Sequence, residues 1–99
     1  MILKMKDKVK ILKIIKNVLE KEGAKKISLF GSFARGENKP GSDIDILVEF
    51  KERKSLLKIV RIERELSETL EIKVDLLTEK SISPYLISSI RKEMVVIYE

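Results

Sequence analysis

Apolar and polar positions along this chain alternate between two periods. From residue 5 to about 22, Met5, Val9, Leu12, Ile15 (or Lys16) and Leu19 recur at helical spacing with lysines opposite, which predicts an amphipathic helix. Gly23 stands where a C-terminal cap belongs. Lys26 to Phe30 is a short apolar run, read as a strand, that Gly31-Ser32 ends abruptly. Phe33 to Arg35 fits one helical turn before Gly36, and Glu37 to Ser42, with Asn38, Pro40 and Gly41, reads as a loop. Asp43 to Phe50 alternates strictly, with Ile44, Ile46, Val48 and Phe50 on one face and Asp43, Asp45, Leu47 and Glu49 on the other, so it is a strand. Lys54 to Leu70 returns to the helical period through Leu56, Ile59, Ile62 (or Glu63), Leu66 and Leu70. Ile72 to Thr78 reads as a third strand, Ser81 to Glu93 as a short helix begun near Pro84, and Met94 to Tyr98 as a last strand.

This order of elements predicts an α/β (α+β) fold, a small mixed sheet of about four strands covered by helices mostly on one face. The 99 residues suit a single domain spanning 1–99. No repeat, low-complexity tract or dividing linker interrupts it. The longest uncharged run, Ser81 to Ile90, is far short of the roughly 20 apolar residues of a membrane helix. Charges break the first eight residues, so no signal peptide is read there, and a cytoplasmic location is expected.

Composition narrows the chemistry. The net charge is +5, with 37% of residues charged. That balance suits an anionic small ligand, but the two signs are interspersed and give no strong nucleic-acid signal. There is no Cys and no His, which removes thiol nucleophiles, imidazole bases, disulfides and nearly every zinc site. Carboxylates, hydroxyls, lysines, arginines and bound metal are left. The abundance of Lys, Glu and Ile with no Gln resembles a thermophile's composition.

Only four Asp stand against twelve Glu, yet three of them, Asp43, Asp45 and Asp75, fall in expected strands, where Asp is disfavoured. Asp43 and Asp45 are two apart and share a face; if the strands are neighbours, Asp75 joins them. Gathered carboxylates repel, and a divalent cation relieves the repulsion. Oxygen-only donors select Mg²⁺ first and Mn²⁺ second. Three such groups can hold two ions roughly 3.5–4 Å apart, an arrangement suited to displacement at phosphorus. Singly, Asp43 reads as well as a strand-start residue and Asp75 as a lysine's partner. Glu49 extends the acid face by one step, but Leu47 between them marks a covered end and sets it outside the site.

Gly31-Ser32 follows a strand and opens a helical turn, a place where backbone N–H groups accept phosphate oxygens. Ser32 adds a hydroxyl, and Arg35 and Lys39 are near enough in sequence to add charge. A P-loop is excluded, because Glu37-Asn38 stand where Lys and Ser/Thr are required. Alone this would be an ordinary turn; beside an acid pair it makes a site for a metal–nucleotide complex.

Gly31-Ser32-Phe33-Ala34-Arg35-Gly36, a short loop, then Ser42-Asp43-Ile44-Asp45-Ile46-Leu47-Val48, with Asp75 in Val74-Asp75-Leu76-Leu77, resembles the signature of the polymerase-beta-type nucleotidyltransferase superfamily. The whole chain is similar to its smallest members, the minimal nucleotidyltransferase (MNT) domains. The resemblance implies that Asp43 and Asp45 hold two Mg²⁺ ions and that the triphosphate of ATP lies against Gly31 and Ser32. It implies that Asp75 completes the metal site and helps a hydroxyl acceptor lose its proton. Arg35 is either a phosphate contact or a solvated or capping residue.

Larger members carry a domain for the acceptor, and none is expected here, since the α/β core uses all 99 residues. MNT proteins of this size resemble the antitoxin of two-gene systems whose toxin is a HEPN-domain ribonuclease, and there AMP is transferred to a toxin tyrosine. The resemblance thus implies a protein adenylyltransferase antitoxin with a HEPN toxin partner. The alternatives are a module that neutralises a partner by contact alone, or transfer to a small molecule or RNA. The Lys-rich first helix (Lys4, Lys6, Lys8, Lys10, Lys13, Lys16) reads as a solvated face, lacking aromatics for base stacking. Tyr85 and Tyr98 read as core or interface residues sooner than as self-modification sites. The apolar segment Ser81 to Ile87 is a partner surface or core, and an uncovered sheet face leaves room for self-association.

Overall fold

The strict alternation of residues 44–50 builds the middle of the sheet. In the computed structural model, which describes residues 8–36 and 42–99, the elements run α1 (Lys8–Lys21), β1 (Ala24–Phe30), α2 (Gly31–Arg35), β2 (Ile44–Phe50), α3 (Leu56–Leu70), β3 (Val74–Leu77), a 3-10 turn (Glu79–Ser81), α4 (Pro84–Glu93) and β4 (Val95–Tyr98). The strands form one mixed sheet in the order β3-β2-β1-β4. β1 is antiparallel to both of its neighbours, and β2 runs parallel to β3. The expected small four-stranded mixed sheet with helices is therefore the observed one. The expected loop from Glu37 to Ser42 lies outside the described residues except at Ser42.

α1 and α3 pack on one face of the sheet. Ile11, Ile15 and Leu19 of α1 and Ile62, Leu66 and Leu70 of α3 meet Ile27, Leu29, Ile44, Ile46, Val48, Val74 and Leu76 in one buried core. This corrects the expected helix faces. Val9 is 76% exposed and Leu56 is 74% exposed, because the stripe that faces the sheet in α1 starts from Ile11. Leu56 opens the first turn of α3, where Ser55 caps the helix by accepting the N–H of Lys58 at 3.2 Å. Ile62, not Glu63, faces the core. The expected position of Met5 lies outside the described residues.

The opposite face carries Ser28, Asp45, Leu47 and Asp75. Ser28 and Leu47 are register partners and both are buried; Glu79 and Met94 line a small void with them. α4 buries no residue fully, and the segment 81–87 is surface: Tyr85 is 91% exposed and Leu86 is 59% exposed. Tyr85 is therefore not a core residue. Tyr98 is half-buried, donates its hydroxyl to Oε1 of Glu20 at 3.3 Å, and lies under the ammonium of Lys16. No helix among the described residues is long and apolar enough to cross a membrane.

Candidate active site

β1 delivers the chain to a sharp turn, and residue 31 must be able to take it. Gly31 sits at φ 74°, a region that costs any residue with a Cβ. A second constraint is steric: a Cβ built on Gly31 would collide with Oδ2 of Asp45 and come within 3.3 Å of its Cγ. The missing side chain is the room in which the Asp45 carboxylate lies. Phe33, fully buried, anchors α2 beneath this turn. Gly36 closes α2 in the left-handed region, its N–H directed at the carbonyls of Ser32 and Phe33. Ser32 is half-buried in the first turn of α2, and no side chain caps that turn.

Register does the rest. Asp45 pairs with Phe30 across the antiparallel ladder and with Asp75 across the parallel one, so Phe30, Asp45 and Asp75 lie in one row across the sheet and Gly31 directly follows its first member. Partners in register project to the same face. The Asp45 carboxyl is pushed up to about 6, first by burial, then by the charge of Asp75 and a side-chain hydrogen bond with it, then by Asp43, with Arg35 opposing. Carboxyls brought this close repel one another when ionised, which adds to the effect of burial.

Asp43 lies one residue before β2 rather than within it. Its Oδ2 is 3.7 Å from the Nζ of Lys73. Among the described residues, no three acidic side chains are already arranged to hold a metal ion: Asp45 and Asp75 face each other, and Asp43 is drawn toward Lys73. The donor chemistry still fits a hard cation, because the donors are carboxylate oxygens and no His or Cys competes with them. Arg35 makes an ion pair of 2.9 Å with Glu93 of α4, half-exposed on both sides. Its guanidinium is also near enough to Asp45 to favour the ionised carboxylate. Lys39 lies outside the described residues.

Sequence reasoning did not identify Lys73 or Glu93 as neighbours of the site. For Lys73 a signal existed: it precedes Asp75 by two, as Asp43 precedes Asp45, so parallel register sets the ammonium opposite the carboxylate. Glu93 carried none, being 58 residues from Arg35. A cavity of about 470 Å³ is elsewhere. It lies at the far end of β2 between Phe50, Ile59 and Lys80 and contains none of the three aspartates.

Known proteins share this arrangement of chain. Residues 11–97 match the model of the nucleotidyltransferase domain family. A relative from Methanocaldococcus jannaschii, provisionally named a protein adenylyltransferase, is 55% identical over 78 residues, which is 79% of this chain and 84% of the relative. The protein adenylyltransferase MntA of Thermococcus cleftensis is 40% identical over 80 residues, 81% of either chain. Among solved structures, a protein provisionally described as a minimal nucleotidyltransferase superposes with a TM-score of 0.81 at 29% identity, over 94% of this chain and 95% of that one. A toxin–antitoxin assembly with AMP-PNP matches with a TM-score of 0.80 at 25% identity, over 88% of this chain and 72% of the matched chain. A match that runs from α1 through the Gly31 turn and all three aspartates into β4 leaves one conclusion: the chain belongs to the nucleotidyltransferase domain family and is a nucleotidyltransferase enzyme.

Proposed function

We propose that this enzyme is a protein adenylyltransferase of the cytoplasm that transfers AMP from Mg-ATP to a tyrosine of a partner HEPN-domain ribonuclease, and so acts as that toxin's antitoxin. The observation that carries the chemistry is the placement of the Asp45 carboxylate between the bare Cα of Gly31 and the carboxyl of Asp75. A phosphate chain seated at the turn would meet the acids directly. The acceptor is suggested by the relatives, one an adenylyltransferase at 40% identity and one solved in a toxin–antitoxin assembly with AMP-PNP.

In this reading Asp43, Asp45 and Asp75 would hold two Mg²⁺ ions (or Mn²⁺), which when bound neutralise charge on the attacking and leaving oxygens. Gly31 lets the backbone approach the triphosphate, and the N–H groups and hydroxyl at Ser32 orient it. Arg35 adds positive charge on the phosphate side once Glu93 releases it. Asp75 takes the proton from the acceptor hydroxyl. The acceptor oxygen bonds to the α-phosphorus as the bond to the β-phosphate oxygen breaks, and pyrophosphate leaves. Nucleotide added beside a ribonuclease site blocks RNA by charge and bulk.

The test uses ATP labelled at the α-phosphate, Mg²⁺, the purified protein and lysate of its own host, with an Asp43→Asn/Asp45→Asn control. Label in one ribonuclease-resistant protein band, absent from the control, supports the reading, and mass analysis names the acceptor. Label in RNA or in a small product overturns the choice of acceptor. A triple Asp→Asn variant that still neutralises the partner shows that contact alone suffices.

A further inference from the structure

β3 is the outer strand of the sheet, and an outer strand has one row of backbone groups with no strand to bond. Asp75 pairs with Asp45 and the N–H of Ile44 donates to the carbonyl of Lys73 at 2.9 Å. The N–H groups of Val74 and Leu76 therefore point outward. Both are taken up by α3: Val74 N–H donates to Oγ of Ser67 at 3.0 Å, and Leu76 N–H donates to Oε2 of Glu63 at 2.8 Å. Glu63 and Ser67 are one helical turn apart, so one face of α3 clamps the strand at two points. Asp75 is the residue between those points.

We propose that Glu63 and Ser67 are positioning residues for Asp75. Their two hydrogen bonds fix the outer edge of β3, and this fixes the direction in which the Asp75 carboxylate meets Asp45. The strand needs such a device, because it is only four residues long and has a neighbour on one side alone. An outer strand free to shift by a fraction of an ångström would leave Asp45 where it is and carry Asp75 away from it. Glu63 acts through its acceptor oxygen rather than through its charge, so Gln can replace it. The same bonds close this edge of the sheet to other strands. This inference rests on the proposed role of Asp75 as a metal-holding carboxylate.

The experiment measures binding of Mn²⁺ alone to the full chain, by the electron paramagnetic resonance signal of free Mn²⁺, and exchange of the Leu76 amide by NMR. Glu63→Leu is expected to speed Leu76 exchange and weaken Mn²⁺ binding by about 10-fold, the low end of the cost of disturbing what orients a metal ligand, because Glu63 acts through the strand and not on Asp75 directly. Glu63→Gln is expected to restore both to within about 2-fold, and Ser67→Ala, a milder change that keeps the fold, to weaken binding by about 3-fold. Asp75→Asn is run beside them. Wild-type Mn²⁺ affinity in both Glu63→Leu and Ser67→Ala, when Asp75→Asn has lost it, overturns the positioning role and leaves the site intact. Wild-type affinity in Asp75→Asn overturns the reading of the site itself.

Discussion

Asp45 and Asp75 are register partners on parallel strands, and the Asp45 carboxyl is held at about 6 by burial and by its neighbour. That relationship makes the pair a source of instability whenever Asp45 is ionised. A strand pairing that the fold needs forces two carboxylates together, and the cost varies with pH.

The sign follows from the direction of the shift. A carboxyl raised from 3.8 to about 6 on folding contributes stability that is complete below about pH 4 and is lost as pH rises through about 6. The full shift would correspond to roughly 3 kcal/mol, and solvent access to the pair reduces this to about 1 kcal/mol. Asp45→Asn is therefore expected to raise the Tm of the metal-free protein at pH 7.5, with the gain vanishing near pH 4. Thermal denaturation in EDTA across that range checks it; a Tm at pH 7.5 equal to or below wild type contradicts it.

Gly31 and Gly36, at the two ends of α2, share a φ of 74° but not their surroundings. Gly31→Ala adds both a left-handed strain and a clash with the Asp45 carboxylate. Gly36→Ala adds the strain alone, since nothing lies within 4 Å of its Cβ position. Each should lose about 1 kcal/mol from the backbone. Only Gly31→Ala should also lower ATP binding, by at least about 10-fold, because the carboxylate must move out of place. Equal ATP affinities in the two variants, measured by calorimetry, would count against the phosphate site at the turn.

How far such features could be read from the chain alone depended on whether local pattern or tertiary packing decided them. Strict alternation from Ile44 to Phe50 left one register for β2, and the rarity of Asp made Asp43, Asp45 and Asp75 visible. The face of α1 was different. Val9, Ile11, Leu12, Ile14, Ile15, Val18 and Leu19 supply two overlapping stripes, and only contact with the sheet selects Ile11, Ile15 and Leu19. The α3 face shows the same limit at its start, where Leu56 and Leu57 overhang into solvent. The Glu63 and Ser67 bonds to β3 were invisible, because a backbone N–H left over at a sheet edge has no signature in sequence.

Phe33 ties the turn to the core. It is fully buried while its helix is only five residues long, so this ring carries most of what holds α2 down. Phe33→Ala should cost about 3–5 kcal/mol. Phe33→Leu should cost about 1–2 kcal/mol, keeping the fold but loosening the turn. Urea titration measures the first effect. A weakened ATP affinity in folded Phe33→Leu, with no change at Asp45 or Asp75, would show that the turn must be rigid to bind phosphate.

Cations should reverse the cost of the acid pair, and the reversal distinguishes a metal site from a structural ion cluster. A cation that binds only the folded chain stabilises it by about 2.7 kcal/mol when its concentration is 100 times Kd. Mn²⁺ should therefore raise the Tm of wild-type protein at pH 7.5, and should do so weakly or not at all in an Asp45→Asn/Asp75→Asn variant. Protons compete for the same oxygens. As pH falls below about 6, Asp45 becomes protonated, so the rise produced by a fixed Mn²⁺ concentration should begin to shrink there and keep shrinking as pH falls further. A metal bound at unrelated surface carboxylates would lose its effect at lower pH, nearer the ordinary carboxylate range. Scanning calorimetry with and without Mn²⁺ at four pH values separates the two cases. A decline that begins near 6 and is lost in Asp45→Asn locates the cation at Asp45, whereas a decline that begins near 4 and that the variant keeps removes it from this site.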